Sequence, residues 1–283
     1  MFRILIREGV FIMNIKFSKA FLMSGEDYKL TESVILHHPS VREILSIDQS
    51  AIPDYSYWIY INIILSDPYS NMVMLDDMGK NYLEVTPFEV FIIQWELCVE
   101  DYNRNKATYD MYNINPLDNI LKALNFFIEG DHKFAKGNYS DGSVVFYDTN
   151  NKMCQINQEV FECLYEWVKS INKIEYSGRI NPADENARRI LIEDARDEIK
   201  KRKKNKKKTD DSSDHLGNIM SATCFCGNGS ITPFNINDCK IYWLNELLSI
   251  VNKKSNADHL LDGVYHGTIS SKDVNKSELN WIE

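Results

Sequence analysis

The run from Pro53 to Leu65, Pro-Asp-Tyr-Ser-Tyr-Trp-Ile-Tyr-Ile-Asn-Ile-Ile-Leu, constrains this chain more than any other stretch. It reads as a helix whose apolar residues fall on nearly every side, so the rest of the chain must supply walls all around it. Pro68 closes it. Further on, Thr86-Pro87-Phe88-Glu89 marks the start of a second strong helix, running to about Tyr102. The Thr86 hydroxyl caps free amides, Pro87 occupies the first helical position, and Glu89 reaches back to the Thr86 amide. Val85 and Val90 are spaced to staple that turn. Between the two, Met72, Leu75 and Met78 recur at threes over Asn71–Met78, and Gly79 stops the segment.

Other elements follow from the same rules. Residues 14–38 read as β-like, with Ile15 and Phe17 alternating, a turn at Ser24-Gly25-Glu26-Asp27 and a short strand at Val34-Ile35-Leu36. Pro39 begins a short helix carrying Val41, Ile44 and Leu45. Asn115-Pro116 opens a helix with an apolar stripe of Leu117, Ile120, Leu121, Leu124 and Ile128, ended by Gly130. A hairpin is expected with Val144–Tyr147 and Lys152–Cys154 as arms and Asn150-Asn151 as its turn. Asn157 caps a helix that turns Val160, Phe161, Leu164, Trp167 and Val168 inward. Asn181-Pro182 starts a long charged helix with a narrow stripe of Ala187, Leu191, Ala195 and Ile199. Ile241, Leu244, Leu248 and Val251 mark the last long helix, and Asn275 with Glu278 marks a short one ending at Trp281. The predicted fold class is mainly α with small β-hairpins, an α+β chain. Its expected parts are a possible leader or edge strand at 1–13, a helical domain at 14–180, a charged helix and basic linker at 181–215, and a small helical module at 216–283.

The chain has 283 residues, of which 44% are hydrophobic and 12% aromatic, ample for a packed core. Its formal net charge is −9. Lys200, Lys201, Arg202, Lys203, Lys204, Lys206, Lys207 and Lys208 contribute eight positive charges, so taking them from the net −9 leaves −17 on the remainder. An acidic body with one short basic tract lacks the extended positive surface that phosphate binding needs. The tract also has no interleaved aromatics for base stacking. It reads as a solvated linker, with partner docking as the alternative and nucleic acid as the least favoured. No run approaches the roughly 18 apolar residues of a membrane span.

Residue types that carry chemistry are present without the spacing that chemistry needs. Cys224 and Cys226, near His215 and Cys239, offer thiolates two apart, but no second ligand pair completes a zinc site, and buried thiols in a turn are the favoured reading. Cys98 and Cys163 lie in apolar helical patterns and read as reduced core thiols. His37-His38 lacks a glutamate at metalloprotease spacing and reads as a surface or strand-end pair. Asp76 and Asp77 are adjacent on a helix and point about 100° apart, so they do not converge on an ion unaided. There is no phosphate loop, nucleophile elbow or dinucleotide fingerprint. No catalytic residue, cofactor or metal is expected.

Several segments together resemble a known group. These are His37-His38-Pro39-Ser40-Val41-Arg42-Glu43-Ile44-Leu45, Tyr57-Trp58, Met74-Leu75-Asp76-Asp77-Met78-Gly79, Val85–Phe91, Asn186–Glu193 with its lysine-rich tail, and Cys239–Leu244. Over most of residues 14–253 the chain is similar to proteins encoded in tail modules of tailed phages of Gram-positive bacteria. The shared positions are packing and capping positions, with no catalytic residues among them. The resemblance implies a non-enzymatic tail-assembly chaperone or minor tail component, with a tape-measure protein and tail-tube subunits as partners. It places the protein in the host bacterial cytoplasm, or in the virion if it is a structural subunit. A DNA-binding regulator using the basic tract is a further alternative.

Two expectations concern the gene. Arg7-Glu8-Gly9 can be written in purine-rich codons just upstream of Met13, so residues 1–12 read as an untranslated leader, with an edge strand through Ile4 and Ile6 as the alternative. Lys206-Lys207-Lys208 can be written as an A-rich slippery stretch of the kind on which such chaperones frameshift. Mass spectrometry of the native protein checks both. The readings predict no peptide from Phe2–Arg7 and a second product that departs from this sequence near Lys208; a Phe2–Arg7 peptide, or a coding sequence without an A-run there, contradicts the respective reading.

Overall fold

The structure is a computed structural model that describes residues 3–7, 10–14, 16–47, 53–176, 179–205, 215–226, 229–270, 272 and 274–280. The protein is mainly helical, with small antiparallel sheets of two and three strands, an α+β fold.

The helix α3 (Pro53–Leu65) lies at the centre. Tyr57, Tyr60, Ile61, Ile64 and Leu65 are buried, and α3 packs on α2 (Val41–Ser46), α5 (Pro87–Arg104), α7 (Asp118–Phe127) and α8 (Gln158–Ile171). It ends at Leu65, three residues before Pro68. Ser66 takes the left-handed conformation, φ 40°, and its amide closes the last turn on the Asn62 carbonyl at 3.0 Å. The capping box of α5 forms as its sequence requires. The Glu89 amide donates to Thr86 Oγ1 at 3.2 Å, and the Thr86 amide donates to Glu89 Oε2 at 2.7 Å. A second capping box, with Ser40 and Glu43, starts α2 one residue beyond Pro39.

Against α5 and α8 lies the three-stranded sheet β5 (Phe134–Asn138), β6 (Val144–Asp148), β7 (Gln155–Ile156), with β6 in the middle. Phe146 faces Ile156 across the β6–β7 pair, and both are fully buried. The Phe146 ring meets Phe91 at 5.2 Å and Trp95 at 4.9 Å, while Phe161 meets Phe91 at 4.7 Å. These contacts join sheet, α5 and α8 by edge and tilted aromatic packing. The sheet extends the expected hairpin on one side and shifts it on the other. β5 is an added strand, and the return arm begins at Gln155, because the Cys154 carbonyl instead accepts from Asp148 in a wider turn (3.0 Å).

The other departures are local. Residues 19–24 form a helix, α1 (Lys19–Ser24), capped by Ser18, where an alternating strand was expected; the expected short strand is β4 (Ile35–Leu36), paired with β3 (Tyr28–Lys29). The helix α4 (Met72–Asp77) forms, and the unexpected α6 (Lys106–Tyr112) follows α5 without burying a residue. The long helix is α9 (Glu185–Asn205), and its buried side chain is Ile192 rather than Leu191 or Ile199. Ile192 packs with Met72 and Leu75 of α4 in a satellite cluster. Near the start of the chain, β1 (Arg3–Arg7) and β2 (Val10–Asn14) pair antiparallel, with Ile4 opposite Met13 and Ile6 opposite Phe11.

The described residues between 216 and 265 pack on those between 17 and 176. Leu216 of α10 (His215–Cys226), and Ile241 and Tyr242 of α11 (Ile241–Tyr265), belong to the main core. Val41 of α2 packs with Ile236, Cys239 and Leu244. The seam is also a backbone joint: the Val41 amide donates to the Cys239 carbonyl at 2.9 Å and the Ile241 amide to the Pro39 carbonyl at 3.0 Å. Glu246, buried on α11, takes salt bridges from Lys19 and Lys173. Gly25 shows how close the approach is. Its φ is +72°, it ends α1, and a Cβ there would lie 2.8 Å from the Trp243 ring of α11. Gly25→Ala therefore combines left-handed strain with a clash. We expect it to destabilise the protein by about 1–3 kcal/mol in chemical denaturation; an unchanged midpoint would contradict this docking of α11.

Candidate functional site

Among the described residues, the expected chemical groups are held apart or already engaged. Asp76 and Asp77 do converge, but on an arginine: both accept from Arg196 of α9, the Asp76 contact being 2.8 Å. This pairing ties α4 to α9. His37 lies at the end of β4 with Nδ1 3.2 Å from Asp27 Oδ2 and Nε2 3.0 Å from Glu43 Oε1. Beside it is an open cleft of about 630 Å³ that Lys122, Asn125, Glu129 and Asp131 also line. An Asp–His pair can orient a general base, but the second nitrogen must then face a nucleophile or substrate. Here a carboxylate takes that place. The nearby Ser46 Oγ donates to the Glu43 carbonyl at 2.7 Å, and Ser40 Oγ donates to Glu43 Oε2 at 2.6 Å. The cluster clamps the turn between α1 and β3 to the start of α2.

The thiols are similarly quiet. Burial pushes Cys163 up to about 12 and Cys154 up to about 11, and it also raises Cys98 and Cys239. A thiol that stays protonated is a poor nucleophile and metal ligand. Cys224 and Cys226 lie on α10, not in a turn. Cys224 joins Cys239 in the cluster under α11. No three His, Cys, Asp or Glu side chains among the described residues are grouped to hold a metal ion.

The basic tract begins on the last turns of α9. Lys200, Lys201, Arg202 and Lys204 are exposed there, where positive charge complements the helix C-terminus. Lys200 pairs with Asp197 at 3.0 Å and Arg202 with Glu198 at 3.3 Å. Such exposed pairs contribute little. Lys203 is part of the same helix. Lys206, Lys207 and Lys208 lie outside the described residues.

The feature with the character of a binding site is a groove of about 920 Å³ along the side of α3. Ile59 and Ile63 of α3, Leu97 and Cys98 of α5, Ile120 of α7 and Ile174 beyond α8 line it, together with polar residues such as Asn62, Gln94 and Asn119. Trp58 and Leu97, 38% and 40% exposed, stand at its opening. Asp67 and Glu175 line the groove, and among the described residues no lysine, arginine or histidine does. Asp67 is nearly buried; its Oδ2 takes the Ser70 amide at 2.9 Å and the Arg179 guanidinium at 2.6 Å. Arg179 in turn stacks 3.5 Å from the Tyr176 ring centre, fixing the segment that borders the groove. Sequence reasoning placed α3 and α5 but not the gap between them. The signal available was Trp58, a large apolar residue on a helix with more apolar perimeter than its neighbours cover.

No helix among the described residues is long and apolar enough to cross a membrane. No curated protein and no solved structure matches the chain. Residues 203–283 match the family model described as the YomV second domain. That family is phage- and prophage-associated, which supports a phage protein.

Proposed function

We propose that this protein is a non-enzymatic phage tail morphogenesis protein that binds an apolar helical segment of a tape-measure or tail-tube protein and keeps it soluble until assembly. The observation that carries this reading is the groove between α3 and α5. It has a volume of about 920 Å³, is lined by four isoleucines with the partly exposed Trp58 and Leu97, and takes no cationic side chain from the described residues. An amphipathic helix lays its apolar face into such a groove, and the exposed Glu175 at the margin favours one that carries lysine or arginine beside that face. The phage-associated match of residues 203–283 supports the setting, and the resemblance of residues 14–253 to tail-module proteins supplies the candidate partners. The net charge of −9 keeps loaded complexes apart by repulsion. A permanent subunit of the tail is the competing reading.

Co-expression with the tape-measure and tail-tube proteins encoded beside it tests the assignment. The wild-type chain should co-purify with one of them and be absent from finished particles. Leu97→Glu places a charge at the groove mouth; we expect it to weaken binding by about 30-fold or more while leaving stability within about 0.5 kcal/mol, since Leu97 is a partly exposed wall residue. Binding that is indifferent to Leu97→Glu in a folded protein would overturn the groove. Stoichiometric recovery in purified particles would favour the structural subunit.

A further inference from the structure

His38 is the most deeply placed ionisable side chain at the seam. It has no exposed surface, and neither ring nitrogen has a hydrogen-bond partner among the described residues. Its ring meets Trp167 of α8 edge-on at 5.6 Å and Tyr242 of α11 at 6.5 Å. The backbone around it is pinned from both sides. Its amide donates to Asp27 Oδ1 at 2.6 Å, and Lys240, the residue before α11, donates from Nζ to the His38 carbonyl at 2.6 Å. Ser40 and Lys240 form an antiparallel bridge just beyond.

A carbon ring of similar size would fill this space without leaving two polar atoms unsatisfied. What the imidazole adds is a proton affinity close to neutral pH. The place is hostile to the charged form. Burial is the largest effect, and Lys240 at the head of α11 adds a cation; Asp27 opposes them from the turn between α1 and β3, His37 adds to them, and Glu43 on α2 opposes. From α8 the ring meets the uncharged Trp167. On α11 itself, Tyr242 is pushed up to about 12, chiefly by burial, and Glu246 is already held by Lys19 and Lys173.

We propose that His38 is an acid-sensitive latch on the C-terminal helices: neutral, it packs α11 against the N-terminal core, and protonated, it no longer fits the seam, so α11 releases. Release would uncover Ile241, Tyr242 and Leu244, which are buried when the seam is closed. This device is independent of the groove and of the proposed partner.

The sign follows from linkage. The closed state holds His38 down at about 4, against 6.5 when it is free. The closed state therefore binds fewer protons, its advantage is complete above pH 6.5, and it is lost as pH falls from 6.5 toward 4. Between pH 7.5 and 5.0 the closed-to-open ratio should fall about 30-fold.

Amide hydrogen exchange on the full chain at those two pH values, corrected for intrinsic rates, reads this directly. Protection across Ile241–Tyr265 should drop about 30-fold at pH 5.0 while Pro87–Arg104 keeps its protection. His38→Phe should remove the difference. NMR of histidine-labelled wild type, which needs no variant to fold, should show one imidazole of six staying neutral to near pH 4. Unchanged protection of α11, an equal loss in α5, the same pH dependence in His38→Phe, or six imidazoles all titrating near 6.5 would each overturn the latch.

Discussion

A helix with no polar face cannot lie on a surface, and that constraint at α3 organises the molecule. Ile61 and Ile64 have no exposed area, and Tyr57 and Tyr60 are buried beside them. Removing that much apolar area from water requires neighbours on several sides, and α2, α5, α7 and α8 provide them. The three-stranded sheet then covers α5 and α8 through Phe146. The side bearing Trp58 and the half-buried Ile59 and Ile63 lines the groove. The groove is thus a consequence of the same excess of apolar perimeter that builds the core, and it needs no special residue to create it.

Much of this was legible locally. Thr86 with Glu89, and Asn157 with the Val160 amide, are caps whose geometry depends on three or four successive residues, and both form as read. Stripes of period 3.6 placed α7, α8 and α11. The failures have a common cause: they depend on partners distant in sequence. Strand β5, Phe-Ala-Lys-Gly-Asn, has little strand character and is held by its pairing with β6. Helix α10 spreads its apolar residues and includes Gly217, and its Cys224 finds its place only through Cys239 and α11. Asp76 and Asp77 meet through Arg196, 119 residues from Asp77. His38 reads as an ordinary strand-end polar residue until Trp167 and Tyr242 close over it. The groove was invisible for the same reason, because a gap between helices has no sequence of its own.

The acidic, imidazole and thiol groups that could have formed a reactive centre are distributed as structural ties: His37 between two carboxylates, Asp148 under the Lys133 and Asn150 amides, Glu246 under two lysines. Apolar side chains, by contrast, line the groove beside α3, where Trp58 and Leu97 are partly exposed. The proposed holding of another chain rests on that groove, and the phage-associated match over residues 203–283 bears only on the setting.

The account stands on the claim that a single core, centred on α3, runs from the first helices through α11. Differential scanning calorimetry of the intact chain tests it most directly. One core predicts a single transition whose calorimetric and van't Hoff enthalpies agree; two separable transitions, with α10 and α11 melting independently at neutral pH, would contradict it.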